Sequence, residues 1–592
     1  RFSAQVDFGT VDLRAEMPAV QFLDITPDSP GYARGVDLQL GAATSRGKYI
    51  CQDWMHIRPS VGKPLRPNTT YAVLLRQGIK TEAGEALVQD EDFSLMLGAT
   101  EPSDADEKHA WLAYQPLRDY LGDQQVDAAT VLAAAVFTTL DPHAKMKGVK
   151  AGVEAATAPL LTDLTLCAAG VTSPCADTSD ETRVCATTVS SAFHELHGTY
   201  KTPVYQRGTA PYLTPAEGGD IAFDQDGSAE HVRDEAMCAG LSIPKGATMP
   251  AEGWPVVIFA HGTGGNFRSF VNNGTAAALA EVKAVAGTVI DRLAVISIDG
   301  AVHGPRRASE QPPDGLFFNL LNPKSARDNV FQGAADKLYL VRLVKSLEVS
   351  AEASPTGEAL KFDTSRIYFF GHSQGTIEGL PFLAVDSDVK ATVLSGAGGY
   401  LIGSLLGKRK PVDIASLVQL ALADGDVNSS HPLLNVLQLY FEEVDSLNYA
   451  RTMLTEPLEG QTAKHVFLSF GAEDSYTPPG LITALTRAMG LPQVTRCGDG
   501  ACTGDETCTT CVADCPTDAC NEHDVTFGQI SAPVSGNISK VGEGYTAVMV
   551  MYKGDGSYDD HHVLFNDATA KRQFTNFLGT AARDGVPEVP AE

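Results

Sequence analysis

Residues 366–379, Arg-Ile-Tyr-Phe-Phe-Gly-His-Ser-Gln-Gly-Thr-Ile-Glu-Gly, constrain the fold more than any other part of the chain. An apolar, β-prone run from Ile367 to Phe370 leads into Gly371-His372-Ser373-Gln374-Gly375, and a stretch able to form a helix, Gln374 to Val385, leads out. A serine so placed sits on a sharp turn with strained backbone angles. Glycines two before and two after it remove side chains that would collide between strand and helix. The turn lifts Ser373 Oγ above the sheet edge and aims the start of the helix, with its free N–H groups, at the carbonyl under attack. A bare Gly-x-Ser-x-Gly arises by chance in a chain with 55 glycines, so the strand–turn–helix setting is what makes Ser373 a candidate nucleophile.

A serine nucleophile on such a sheet needs an acid and then a histidine, in that chain order. His465 to Gly471 reads as a strand, and Ala472-Glu473-Asp474-Ser475-Tyr476-Thr477-Pro478 as the loop after it. Asp474, at the third position after the terminal glycine, is preferred over Glu473. Thr546 to Tyr552 reads as the last strand, and Asp559-Asp560-His561-His562-Val563 supplies a histidine before an apolar segment. His561 is preferred, with His562 filling the bulky position after it. A metal-binding pair is the alternative, but adjacent side chains seldom converge on one ion. In the expected chemistry His561 takes the Ser373 proton and returns it to the leaving alcohol, while Asp474 fixes the imidazole tautomer. The oxyanion needs two main-chain donors. One is Gln374 N–H; the other is expected from Thr263, in His261-Gly262-Thr263-Gly264-Gly265 after the strand Val256 to Ala260.

Taken in order, the loop 261–265, the turn 371–375, Asp474 and His561 resemble the α/β-hydrolase superfamily. Gly253-Trp254-Pro255, Asn322-Pro323, Ala326 to Asn329 and Gln332 extend the resemblance to secreted bacterial lipases of the virulence-factor type, over roughly residues 190–592. The resemblance implies an α/β fold with a mostly parallel, doubly wound sheet and a helical cap. It also implies esterase or lipase activity with no required cofactor. Asp299 and His303 are expected to shape the rim of the site or pack locally, without catalytic roles.

The chain has 592 residues, 43% of them hydrophobic, which is enough for more than one domain. Its net charge of −28 disfavours nucleic acid, which requires a basic footprint. No apolar run approaches 20 residues, so no transmembrane segment is expected. The chain opens on arginine, which suggests a mature or trimmed form. Cys497, Cys502, Cys508, Cys511, Cys515 and Cys520 fall within residues 496–521, a segment poor in large apolar residues that needs crosslinks. Three disulfides are the first reading, placing the protein in an oxidising compartment, secreted or at a bacterial surface. Zinc is the alternative, and Asp499, Asp505 and Glu506 could hold a structural calcium ion. Cys167 with Cys175 or Cys185 could close a local loop.

Residues 1–100 show short β-type stretches, with Thr70 to Leu75 after Pro67-Asn68 and a turn near Ala83-Gly84, resembling a bacterial Ig-like β-sandwich. Residues 101–185 are expected to be a helical linker, including an Ala-rich helix over Ala128–Phe137, and residues 186–592 the catalytic domain. Within it, residues 400–462 are expected to form a cap, with Leu417, Leu420, Leu434, Leu437 and Leu439 lining an acyl pocket or lid. The expected function is ester hydrolysis on a small-molecule or lipid ester. The Ig-like domain is then expected to contact a cell surface or polymer. A polyester-cleaving esterase is one alternative; a non-catalytic surface-binding protein on a hydrolase scaffold is another.

Overall fold

The β-branched and aromatic runs from residue 162 onward lie side by side in one mixed sheet. A computed structural model describes residues 2–591, apart from 3, 12, 14–17, 44, 176–179, 412, 496–527 and 541. The sheet strands are β1 (Thr162–Leu166), β2 (Phe193–Val204), β3 (Arg233–Pro244), β4 (Trp254–Ala260), β5 (Ala294–Ile298) and β6 (Leu360–His372). They continue as β7 (Val389–Ser395), β8 (His465–Gly471), β9 (Gln493–Thr495), β10 (Gln529–Ser531) and β11 (Ala547–Tyr552). Their order is β10-β9-β11-β8-β7-β6-β4-β5-β3-β2-β1. Neighbours are parallel from β10 to β5 and antiparallel beyond.

Period-two side-chain alternation separates two cores. Val256 and Ile258 of β4 join the cluster on one face with Val149, Leu338, Leu343, Leu380 and Phe382, from α1 (Ala144–Ala155), α2 (Pro323–Ser346) and α3 (Gln374–Val385). Val257 and Phe259 join the other with Phe574 and Phe577 of the helix Ala568–Asp584. A strand covered on both faces reads as a continuous apolar run, as β4 and β8 do; all their residues are buried. Chain order reverses at β4, because β5 lies to one side of it and β6 to the other. Such a switch point opens a crevice at the carboxyl ends of the strands. Ala260 pairs with Gly371 there, so the loop 261–265 and the serine turn leave the sheet side by side.

Residues 1–142 and 416–436 form a separate unit. Val20–Asp24, Thr70–Arg76 and Val131–Thr138 make an antiparallel three-stranded sheet, beside a hairpin of Leu38–Ala43 and Trp54–Pro59. Helix Gln115–Asp123 packs Leu117, Tyr120 and Leu121 against Leu23, Ala72, Leu74 and Val131. The described residues therefore differ from the two facing sheets expected over residues 1–100: helices cover this sheet, and its third strand comes from 131–138. The Ala-rich helix expected over 128–137 is overturned. Pairing of Val131–Thr138 with Thr70–Arg76 overrides alanine's helical preference. The unit boundary falls at Pro142 rather than at residue 100, and helix Ala144–Ala155 and β1, from the expected linker, belong to the sheet-bearing unit. Part of the expected cap, residues 416–436, groups with the N-terminal unit.

Disulfides join Cys167 to Cys185 and Cys175 to Cys238. The cysteines 497–520 and the calcium candidates Asp499, Asp505 and Glu506 lie outside the described residues. Among those described, no helix is long and apolar enough to cross a membrane.

Candidate active site

β6 ends at His372, and Ser373 follows at φ 53°, ψ −121°, immediately before α3. The flanking glycines are required by space: a Cβ on Gly375 would lie 2.2 Å from Ala260 O, and one on Gly371 3.1 Å from Gly375 O. Ser373 N–H donates to Ser395 O at the end of β7 (2.8 Å), and Ser373 O accepts from the Thr376 N–H and hydroxyl (2.8 and 2.7 Å). The strained residue is thus held from both sides. His372 is buried with Nδ1 3.1 Å from Ser395 Oγ; burial, with His561 and His562 nearby, drives its pKa well below the usual histidine value.

The loops after β8 and β11 bring Asp474 and His561 together. Asp474 Oδ1 accepts the N–H groups of Tyr476 (2.9 Å) and Thr477 (2.7 Å), which turns Oδ2 toward His561 Nδ1 at 2.8 Å. Both side chains are buried. With Nδ1 donating to the carboxylate, Nε2 is the acceptor nitrogen of the imidazole. Gly396 makes room for the ring, since a Cβ there would lie 2.6 Å from His561 Cε1, and Tyr476 stacks on it at 4.9 Å. Glu473 points to solvent beside Lys553 (3.1 Å). His562 makes no bond to Asp474; its ring lies 5.2 Å from that of His561, nearly perpendicular.

Two further carboxylates lash these loops together. Asp559 Oδ1 accepts from Ser475 N (3.2 Å) and His561 N (3.1 Å), and its Oδ2 from Ser475 Oγ and from Lys410 Nζ (2.9 Å). Burial opposes ionisation of Asp559, but those donors prevail and hold its pKa at about 2. Asp560 accepts from Glu473 N (2.8 Å) and Gly554 N (3.0 Å).

The glycine-rich loop after β4 is anchored by two histidines. His261 Nδ1 donates to Gly262 O (2.8 Å) and its Nε2 accepts from Gly300 N–H (2.9 Å). His303 Nδ1 donates to Ala301 O (2.8 Å) and its Nε2 accepts from Gly264 N–H (3.0 Å). His303 thus supports the loop from behind, the local packing that was one of its two expected places, and its bond to Gly264 N–H is the part that sequence reasoning did not supply. Asp299 lies deeper still. It receives a two-point contact from buried Arg183 (2.7 and 2.9 Å) and the N–H of Phe267 (3.1 Å). Gly262 approaches the nucleophile closely: its Cβ position is 3.0 Å from Ser373 Cβ. The N–H groups of Gly264 and Gly265 are taken by His303 and Gly262 O, whereas among the described residues those of Thr263 and Gln374 meet no protein acceptor.

Burial lowers the pKa of both anchoring histidines to about 4. Each folded value lies below the ordinary 6.5, so protonation favours the unfolded chain. Their stabilisation is complete above 6.5 and drains away as pH falls through about 4, by roughly 3 kcal/mol per imidazole. Thermal denaturation should accordingly show the melting temperature dropping across that window, and His303→Gln should make the drop shallower. An equal slope in that variant would remove His303 from the account.

The only group among the described residues whose metal-ligating atoms converge is Cys167, Cys185 and His197, and its cysteines are joined in a disulfide. Of the expected cap leucines, Leu434 is buried and Leu437 half-buried, while Leu417, Leu420 and Leu439 are more than half exposed.

No family model matches the chain, and a search of curated proteins finds no match. Among solved structures it is similar to an acetyl xylan esterase from Paenibacillus sp. R4, at 15% identity over 59% of this chain and 84% of that one, with a TM-score of 0.37. Acetyl xylan esterase 1 from Thermoanaerobacterium sp. JW/SL YS485 is 13% identical over 59% and 84%, with a TM-score of 0.35. An S-formylglutathione hydrolase from Agrobacterium tumefaciens is 13% identical over 65% and 96%, with a TM-score of 0.30. The fold of this chain is described by its own strand order, parallel from β10 to β5, with helices packed on both faces of the sheet.

Proposed function

We propose that the chain is a serine hydrolase that cleaves carboxylic esters through an acyl-enzyme. Ser373 Oγ attacks the ester carbonyl as His561 Nε2 takes its proton. The C–O bond to the alcohol then breaks, and the proton passes from His561 to the leaving oxygen. Water repeats the sequence on the acyl-enzyme, releasing the acid and restoring Ser373. Asp474 keeps the proton on His561 Nδ1 and stabilises the imidazolium while it exists. The N–H groups of Thr263 and Gln374 receive the developing oxyanion, each contributing about 3–4 kcal/mol to the transition state. The observation that carries this reading is the 2.8 Å bond from His561 to Asp474 on loops beside a serine held at φ 53°. The two disulfides favour an oxidising, extracytoplasmic setting.

The test is a series of p-nitrophenyl esters from acetate to palmitate, run beside labelling with a fluorophosphonate. Turnover at one or more chain lengths, with the adduct on the peptide holding Ser373, is the expected result. Folded protein that neither turns over an ester nor takes the label would overturn the proposal in favour of a binding protein.

A further inference from the structure

A chain of buried polar side chains lies directly behind the oxyanion loop, and acyl transfer as written above makes no use of it. Lys337 of α2 pairs its ammonium with Glu378 Oε2 of α3, and both side chains are at least 96% buried. Glu378 Oε1 accepts from Gln374 Nε2 at 2.7 Å, and Gln374 Oε1 accepts from the Thr263 hydroxyl at 2.9 Å. Space for the carboxylate comes from Gly333, whose Cβ would lie 2.4 Å from Glu378 Cδ. Lys337 Nζ also donates to Gly333 O at 3.2 Å. A cavity of about 10 Å³ is lined jointly by Lys337, Glu378, His261 and Gly300, which puts the ion pair against the base of the loop.

We propose that Lys337, Glu378 and the Thr263 hydroxyl form a hydrogen-bond relay of fixed polarity that aims the two main-chain oxyanion donors, Thr263 N–H and Gln374 N–H. This rests on the ester-hydrolase reading. An ammonium can only donate and a carboxylate can only accept. Gln374 must therefore turn its amide nitrogen to Glu378 and its oxygen to the loop, and Thr263 must then donate. Each link has one possible direction. The relay joins residue 263, on the loop after β4, to residue 374, the first of α3, and among the described residues neither of these N–H groups meets a protein acceptor. A neutral side chain at 378 would accept either orientation of the Gln374 amide and release the tie.

Energetics point the same way. A buried ion pair is no more stabilising than well-packed apolar residues of similar volume, because desolvation offsets the attraction. Its position two side chains from the loop is accounted for by what it orients. Lys337 and Glu378 are positioning residues: they act through Gln374 and Thr263 and do not touch the substrate.

The experiment compares full-length wild type, Thr263→Val, Thr263→Ser, Glu378→Gln and the Thr263→Val/Glu378→Gln double variant. It reads steady-state kinetics on the best p-nitrophenyl ester, and affinity for a boronic acid that the serine converts to a tetrahedral adduct. Thr263→Val should lower kcat about 10- to 100-fold, below the full cost of losing a donor. KM should stay within about twofold, and boronate affinity should fall by the same factor as kcat, a pattern that a merely structural role does not produce. Thr263→Ser restores the hydroxyl and should recover most of the loss. Glu378→Gln should repeat the Thr263→Val pattern, and the double variant should be no worse than its weaker parent, since both cut one relay. Wild-type kcat in Thr263→Val, or losses that multiply in the double variant, would overturn the relay. Should Glu378→Gln fail to fold, the valine–serine comparison decides alone. Folded wild type without serine-dependent turnover would fail the ester-hydrolase reading and the relay with it. Turnover that Thr263→Val leaves intact fails the relay only.

Discussion

Ser373→Ala should lower ester turnover by about a million-fold, leaving only the catalysis that binding and the oxyanion donors supply. Such losses follow when residues act as one unit, because removing any member stops proton transfer coupled to attack. His561→Ala should cost a similar factor for that reason. His562→Ala should cost far less, since His562 makes no bond to Asp474 while His561 Nδ1 lies 2.8 Å from it. Measuring kcat for the three variants, with circular dichroism to show that each is folded, separates the cases. A loss in His562→Ala as deep as in Ser373→Ala, with His561→Ala active, would move the base to the neighbouring residue.

The largest effect on stability is expected at Asp299, which is essentially inaccessible to solvent and is held by an equally buried Arg183 across 116 positions of chain. Asp299→Ala takes a two-point carboxylate contact away from the buried Arg183 guanidinium and leaves Phe267 N–H without that acceptor. Breaking a buried pair from one side costs about 3–5 kcal/mol. Removing both charges costs much less, because neither desolvation penalty remains. Asp299→Leu combined with Arg183→Met should therefore be more stable than Asp299→Ala, as read from denaturant midpoints. If the double variant were the less stable of the two, the pair would not be the reason for the loss. Because Phe267 closely follows the glycine-rich loop, Asp299→Ala should also depress kcat in the protein that remains folded.

What the sequence discloses and what it hides divide along contact range. The serine turn, the acid loop and the histidine loop are local patterns, each a strand followed by particular residues, and they are legible one at a time. The choice between His561 and His562 is not, because it depends on which ring faces a carboxylate 87 positions away. The Arg183–Asp299 pair and the His303 tether to Gly264 carry no local signature. Their residues are polar side chains in irregular segments until the sheet brings them together. Residues 131–138 mislead for the complementary reason. Alanine's intrinsic preference is a fraction of a kcal/mol per residue, and a partner strand at 70–76 outweighs it. The disulfide partners were open for the same cause: Cys175 crosses to Cys238, 63 positions on, and does not close the short loop with Cys167.

The backbone of Ser373 carries an evolutionary trade-off. At φ 53°, ψ −121° a residue with a Cβ costs about 1–3 kcal/mol that glycine would not. On heat tolerance alone, position 373 belongs to glycine. On the nucleophile role proposed for Ser373, serine persists there because the strained angles present its hydroxyl, and that chemistry holds the molecule below its own stability optimum. A laboratory selection for thermal resistance that ignored turnover would be free to relieve that strain first, and would return a sturdier protein with nothing left to catalyse.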